Sequence, residues 1–220
     1  MEELGTENLR KIKNVSMDMS ATYALVFNNL IPRAVQVIDK YHSIKYVYDA
    51  LGDVRRQAVK DLQKQLTKGT KRNGNDKLIL QKIELLRRIS HAIMQSPDKW
   101  SEGTKEIVNQ AFEENENLKQ AYEISQRFKQ WYGIENHRKS IKTITAELHN
   151  WYREAIQIKE FESVIKMLHK HEMGIINFFR HGLTNAKAER LNGKMQRFYS
   201  ANYGTHNKDF FLYRTAGYFS

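Results

Sequence analysis

The chain contains no cysteine. That absence excludes disulfides, thiolate metal sites such as zinc ribbons, and thiol catalysis, and it suits a reducing compartment. No run of roughly eighteen apolar residues occurs, and the opening MEELGTENLRKIK lacks the apolar stretch of a secretory signal, so neither membrane spanning nor export is expected. Nothing repeats at a period of about 20–50 residues, which argues against a solenoid. Acidic residues are in deficit. Against 36 Lys and Arg stand 25 Asp and Glu, a formal charge of +11 with a pI near 9.6, and this favours a polyanionic partner such as nucleic acid. What is present suffices for folding, since 220 residues at 40% hydrophobic content can bury a core.

Strand signals are confined to the beginning of the chain. In KNVSMDMS, Val15, Met17 and Met19 alternate with Ser16, Asp18 and Ser20, the period of an extended segment. Asp18 is out of keeping with a buried strand, where an unpaired charge is costly. Tyr23, Phe27 and Leu30 then recur at helical spacing, with Ser20 as N-cap and Pro32 as the stop. The following AVQVID is a short β-branched run of the kind found in parallel sheets. Residues 13–39 therefore read as a βαβ unit with Asp18 and Asp39 at the carboxyl ends of its strands, the side on which such units bind ligands. From the residues alone, Asp18 reads equally well as a cap for the helix starting near Ala21.

From about Ser43 onward the pattern is helical. Ile79, Ile83, Leu86, Ile89 and Ile93 form one stripe, and Ile141, Ile144, Leu148, Trp151 and Ile158 another, both read as core. KGTKRNGND, residues 68–76, reads as an exposed loop, and SPDKWSEGT at 96–104 as a second break with its own caps. Near the end, Thr184 or Asn185 can cap a helix with three stripes. Leu191, Met195 and Phe198 are expected to be buried, Arg190, Lys194 and Arg197 form a basic stripe, and Glu189, Asn192 and Gln196 a polar one.

VSMDMSATY, a proline, VIDKYHSIK and much later GLTNAKAERLNGKMQRFYSANYG together resemble the catalytic domain of bacterial insertion-sequence transposases of the DDE type. The resemblance runs in order along nearly the whole chain but is specific at residues 13–46 and 180–218. It implies an α+β, mostly α fold: a partial RNase-H-like βαβ core over residues 1–45, a helical insertion over 46–180, and C-terminal helices of the catalytic domain over 181–220. It implies that Asp18 and Glu189 are catalytic metal ligands, with Asp39, His42 and Asn192 in support. The cofactor implied is Mg²⁺ or Mn²⁺, a hard ion that takes oxygen ligands, and the reaction is strand cleavage and transfer on two metals about 3.5–4 Å apart.

The resemblance also sets expectations about partners. Double-stranded DNA, at the terminal inverted repeats of the element, is the implied substrate, with Lys71, Arg72, Trp131, Arg138, Lys139, Arg190, Lys194 and Arg197 as its contacts. Trp100, Trp131 and Trp151 read first as core, and Trp131 is the one singled out for base stacking because basic residues surround it in FKQWYGIENHRK. A homo-oligomer or pairing with an upstream transposase fragment is expected, in the bacterial cytoplasm near the nucleoid. The sequence departs from the family at one point. Only 17 residues precede Asp18, too few for the three strands of about five residues that carry the family's first catalytic Asp. The expectation is a transposase fragment, inactive alone, with a non-catalytic helical DNA-binding or regulatory protein derived from a transposase as the alternative.

Overall fold

A computed structural model of the chain describes residues 5–66, 74–183, 186–201, 209–210, 213–214 and 217. Residues up to Gly182 form one compact unit, and those from Leu183 a second. The first unit opens with α1 (Gly5–Lys11), β1 (Asn14–Met17), α2 (Ala21–Leu30) and β2 (Val35–Ile38). The two strands pair in parallel, with Asn14 opposite Val35 and Met17 opposite Ile38. Local chemistry accounts for each joint. Ser20 caps α2, its hydroxyl accepting from the Tyr23 amide at 3.5 Å; Pro32 follows the helix end, where the Ile31 amide bonds back to Phe27 O at 2.9 Å. The expected βαβ unit is thus present.

Among the described residues the following long elements are helices: α3 (Lys40–Lys64), α4 (Gly74–Arg88), α5 (Glu102–Glu114), α6 (Glu116–Trp131), α7 (Ile141–Ala155), α8 (Glu162–Lys170), α9 (Glu172–His181) and, in the second unit, α10 (Ala186–Ala201). Ser101, Asn115 and Ser140 cap α5, α6 and α7 by accepting from the amides of Thr104, Leu118 and Thr143. Helix α3 is the central strut. It packs on α4, α6, α8 and α9, burying Ser43, Val47, Ala50, Leu51 and Val54 at the three-and-four spacing of one face. The isoleucine stripe 79–93 and the stripe through Ile144, Leu148, Trp151 and Ile158 are buried as expected, while Ile141 is half-buried. Each fully buried Leu or Ile contributes about 1.5–3 kcal/mol.

The sheet edges differ. The outer edge of β2 is covered by α9, whose Asn177 donates its side-chain amide to Gln36 O at 3.0 Å. Gly174 lets the helix come this close: a Cβ there would stand 2.7 Å from Ile38 Cγ1. No strand among the described residues pairs with the outer edge of β1. On the helix that follows β1, no residue of α2 is fully buried although the helix is strongly apolar, and Leu25 is 63% exposed.

Two expectations need adjustment. The loop over 68–76 falls partly outside the described residues, and its last three positions already belong to α4, where Asp76 is buried at 1% exposure. An acid in a first helical turn is stabilised by the amide dipoles, which explains why an apparently loop-like Asp starts a helix. The boundary expected at residue 45 lies inside α3, and β2 packs on α9, so the βαβ unit shares one core with the helices that follow. Among the described residues no helix is long and apolar enough to cross a membrane.

Candidate active site

Asp18 is the first residue beyond β1, and Asp39 the first beyond β2. Since Met17 pairs with Ile38, the same register sets the two aspartates side by side, and the Asp39 amide bonds to Met17 O at 3.0 Å. Both carboxylates therefore lie at the carboxyl edge of the parallel pair, where the strands stop and a ligand has access. Their surroundings differ. Asp18 is half-buried and accepts from the Ser20 amide through Oδ1 at 2.9 Å, so it braces the turn into α2 while its second oxygen is left for other partners. Asp39 is fully buried and caps α3, its Oδ1 accepting from the Tyr41 amide at 2.8 Å. The capping reading and the site reading of Asp18 are thus compatible. His42 follows in the first turn of α3, half-buried.

Helix α9 brings a further group to this edge that the motifs did not single out. His171, at its N-terminus, lies close enough to Asp18 to feel its charge; burial pulls the imidazole pKa down, with Lys170 adding to the fall and Asp18 opposing it. The sequence signal was available in LHKHE, a cluster of three protonatable side chains and an acid at a helix junction. Glu172 is held by two histidines, with His149 Nε2 2.9 Å from Oε1 and His169 Nδ1 3.3 Å from Oε2. Below the site, burial raises the pKa of the Tyr132 hydroxyl strongly, and the charge of Asp39 adds to the effect.

The other expected site residues that are described lie on these elements. Glu189 and Asn192 lie on the backbone of α10, in the second unit. On the same helix Arg190, Lys194 and Arg197 are exposed, whereas Met195 and Phe198 are half-buried. Lys71 and Arg72 lie outside the described residues. Arg138 is exposed, and Lys139 is paired with Glu147. Trp131 is a core residue, 8% exposed, with its indole N–H donating to Ile144 O at 3.3 Å and its ring against Phe128, Tyr132 and Phe179. A ring so enclosed offers no face to a base, which corrects the expectation of stacking. Trp151 is equally buried, its N–H on Ile124 O, while Trp100 is half-buried with its N–H on Ala92 O.

Among the described residues, no three His, Asp or Glu side chains converge as ligands for one ion. The side chain of Glu189 is not among those described. The donors at the strand ends are carboxylate oxygens, the type that hard divalent ions take, and they fit such an ion in chemistry. No curated protein and no solved structure matches the chain. One protein family does: residues 1–215 match the DDE transposases of the ISL3 type, described as transposase. A parallel strand followed directly by Asp18, a second followed directly by Asp39 and a family match along nearly the whole length lead to one conclusion, that this chain belongs to the DDE transposase family.

Proposed function

We propose that the chain acts in DNA transposition as a segment of a bacterial insertion-sequence transposase, with Asp18 and Glu189 as metal-binding carboxylates of an RNase-H-like catalytic core. The observation that carries this reading is the position of Asp18, one residue past the last ladder pair of a parallel strand and beside Asp39. Asp18 and Glu189 would hold Mg²⁺ or Mn²⁺, which would supply Lewis-acid activation of the attacking water or 3′ hydroxyl and charge stabilisation at the leaving oxygen. The residues hold the geometry. The Ser20 amide fixes one oxygen of Asp18 and so orients the carboxylate. Asp39, buried and anchored by the Tyr41 amide, keeps the neighbouring strand end rigid. His42 and Asn192 are assigned to support of the same centre, and such supporting groups tune ligand placement.

The substrate is double-stranded DNA at the terminal inverted repeats. Arg190, Lys194 and Arg197, three exposed cations at helical spacing on α10, and exposed Arg138 are its phosphate contacts in this reading. Asp18 and Glu189 match two of the family's three catalytic carboxylates, and in this reading the purified chain cuts DNA only when a separate polypeptide supplies the third. The setting is the bacterial cytoplasm, at the nucleoid.

The test is nicking of terminal-repeat DNA in Mg²⁺ by the purified chain, alone and with a polypeptide carrying the remaining catalytic strands. The expected result is no nicking alone, activity on mixing, and loss of that activity in Asp18→Ala or Glu189→Ala. Robust nicking by the chain alone would refute the assignment of incompetence, and activity indifferent to Asp18→Ala would refute the site.

A further inference from the structure

Lys13 and Met17 turn their carbonyls to β2, where the amides of Val35 and Asp39 donate to them at 2.8 and 3.0 Å. Alternation along the strand therefore turns the amides and carbonyls of Asn14 and Ser16 outward, and no strand among the described residues pairs with them. An open edge of this kind is a template for another chain. Its surroundings are apolar. A groove of about 610 Å³ opens at the start of the strand, walled chiefly by Leu9, Ile12, Leu30, Ile31 and Pro32. On α2, which follows the strand, Tyr23 is 55% and Leu25 63% exposed.

Charge identifies the occupant. From Ile12 to Pro32 the only charged residues are Lys13 and Asp18, which cancel, in a chain whose formal charge is +11. Two copies of so basic a chain repel one another over most of their surface, and along this stretch they meet without that penalty. The stretch is also complementary to itself. In antiparallel pairing about a two-fold axis through Ser16, Val15 stands opposite Met17 of the partner subunit and Asn14 opposite Asp18 of the partner subunit. An amide donor then meets each carboxylate, and no like charges face each other. The same axis brings the partner's Tyr23, which lies just beyond the end of its strand, toward the groove at the start of β1.

We propose that the outer edge of β1 is an interface between two copies of this chain, which pair antiparallel into a four-stranded sheet with the partner's Tyr23 seated in the apolar groove. The contact is isologous, the same patch meeting itself across a two-fold axis, and so it closes at a dimer. It needs neither DNA nor a metal ion, so its failure leaves the transposase reading standing.

The test is sedimentation velocity of the full 220-residue chain from about 1 to about 200 µM, with amide hydrogen exchange read by NMR at both ends of that range. A dimer is expected at the upper end. The Ser16 amide should exchange slowly there and fast on dilution, while the Asp39 amide, bonded to Met17 O inside the chain, should be slow at both. Asn14→Asp sets two like-charged cross-strand pairs against each other and should raise the dimer dissociation constant by about tenfold. Asn14→Lys, opposite the same carboxylates, should lower it. Leu78→Lys, a charge added at an exposed leucine of α4, should leave it unchanged. A chain that sediments as a monomer throughout the range refutes the interface. Ser16 protection that does not change on dilution means that the edge is covered from within one chain, and it refutes the interface as well. A dimer whose dissociation constant is the same in Asn14→Asp and Asn14→Lys uses another surface, and that result also overturns the proposal.

Discussion

Gly174→Ala should destabilise the first unit, although alanine is the better helix former. Gly174 is the third residue of α9 and faces β2. An added Cβ would stand 2.7 Å from Ile38 Cγ1 and 3.6 Å from Ile38 N. Ile38 is 2% exposed and sits within a strand, so Cγ1 cannot rotate into solvent to make room. Overpacking of this kind costs about 1–3 kcal/mol. The helical gain of alanine over glycine is at most about 1 kcal/mol, and less in a first turn. Overpacking wins, leaving a net loss of about 1–2 kcal/mol, which for a unit of this size lowers the melting temperature by about 2–8 °C. Thermal and urea melts followed by far-UV circular dichroism measure it. Gly103→Ala is the matched control: no heavy atom lies within 4 Å of its added Cβ in α5, so stability should rise by up to about 1 kcal/mol. In a double-mutant cycle, Ile38→Ala should cost less in the Gly174→Ala background than in wild type, because it removes the clashing Cγ1. A Gly174→Ala chain that melts at or above wild type would refute the close approach of α9 to β2.

Trp131→Phe should retain full DNA affinity while losing stability, since the indole is enclosed by Phe128, Tyr132 and Phe179 and its N–H is spent on Ile144 O; Trp131→Ala should cost about 3–5 kcal/mol in a melt. Alkaline stability should follow the buried phenols. Burial raises the pKa of Tyr122, Tyr132 and Tyr152 in the fold, so stability is complete below the ordinary phenol value of about 10 and falls above it, where the unfolded chain releases protons that the fold retains. Denaturation at stepped alkaline pH checks this. The fall should become shallower in Tyr132→Phe and Tyr152→Phe.

The βαβ unit was legible because each of its parts is a local signal. Alternation gives β1, Ser20 caps α2, and the β-branched run VQVI gives β2, so the placement of Asp18 at a strand end needed no long-range information. What was not legible is long-range. The Asn177 to Gln36 contact and the Gly174 to Ile38 contact join residues far apart in sequence, and neither side chain advertises its partner. The proximity of His171 to Asp18 depends on those same contacts. Trp131 read first as core and is buried, and the stacking reading arose for a different reason. Its basic neighbours in sequence drew attention to charge, whereas Ala121, Ile124, Phe128 and Trp131 recur at steps of three and four and mark it as part of the buried face of α6. Asp76 was read from the glycine-rich composition around it, when an acid at that point also signals a helix start.

The central proposal is that Asp18, at the carboxyl end of β1, is a ligand for a divalent ion. Iron-directed cleavage tests it most directly. Fe²⁺ bound in place of Mg²⁺ generates short-lived oxidants on addition of ascorbate and peroxide, and these cut the backbone only near the ion. The account predicts cuts around residues 17–20, suppressed by excess Mg²⁺ and lost in Asp18→Ala. No cut near that segment, or a pattern that persists in Asp18→Ala, would contradict it.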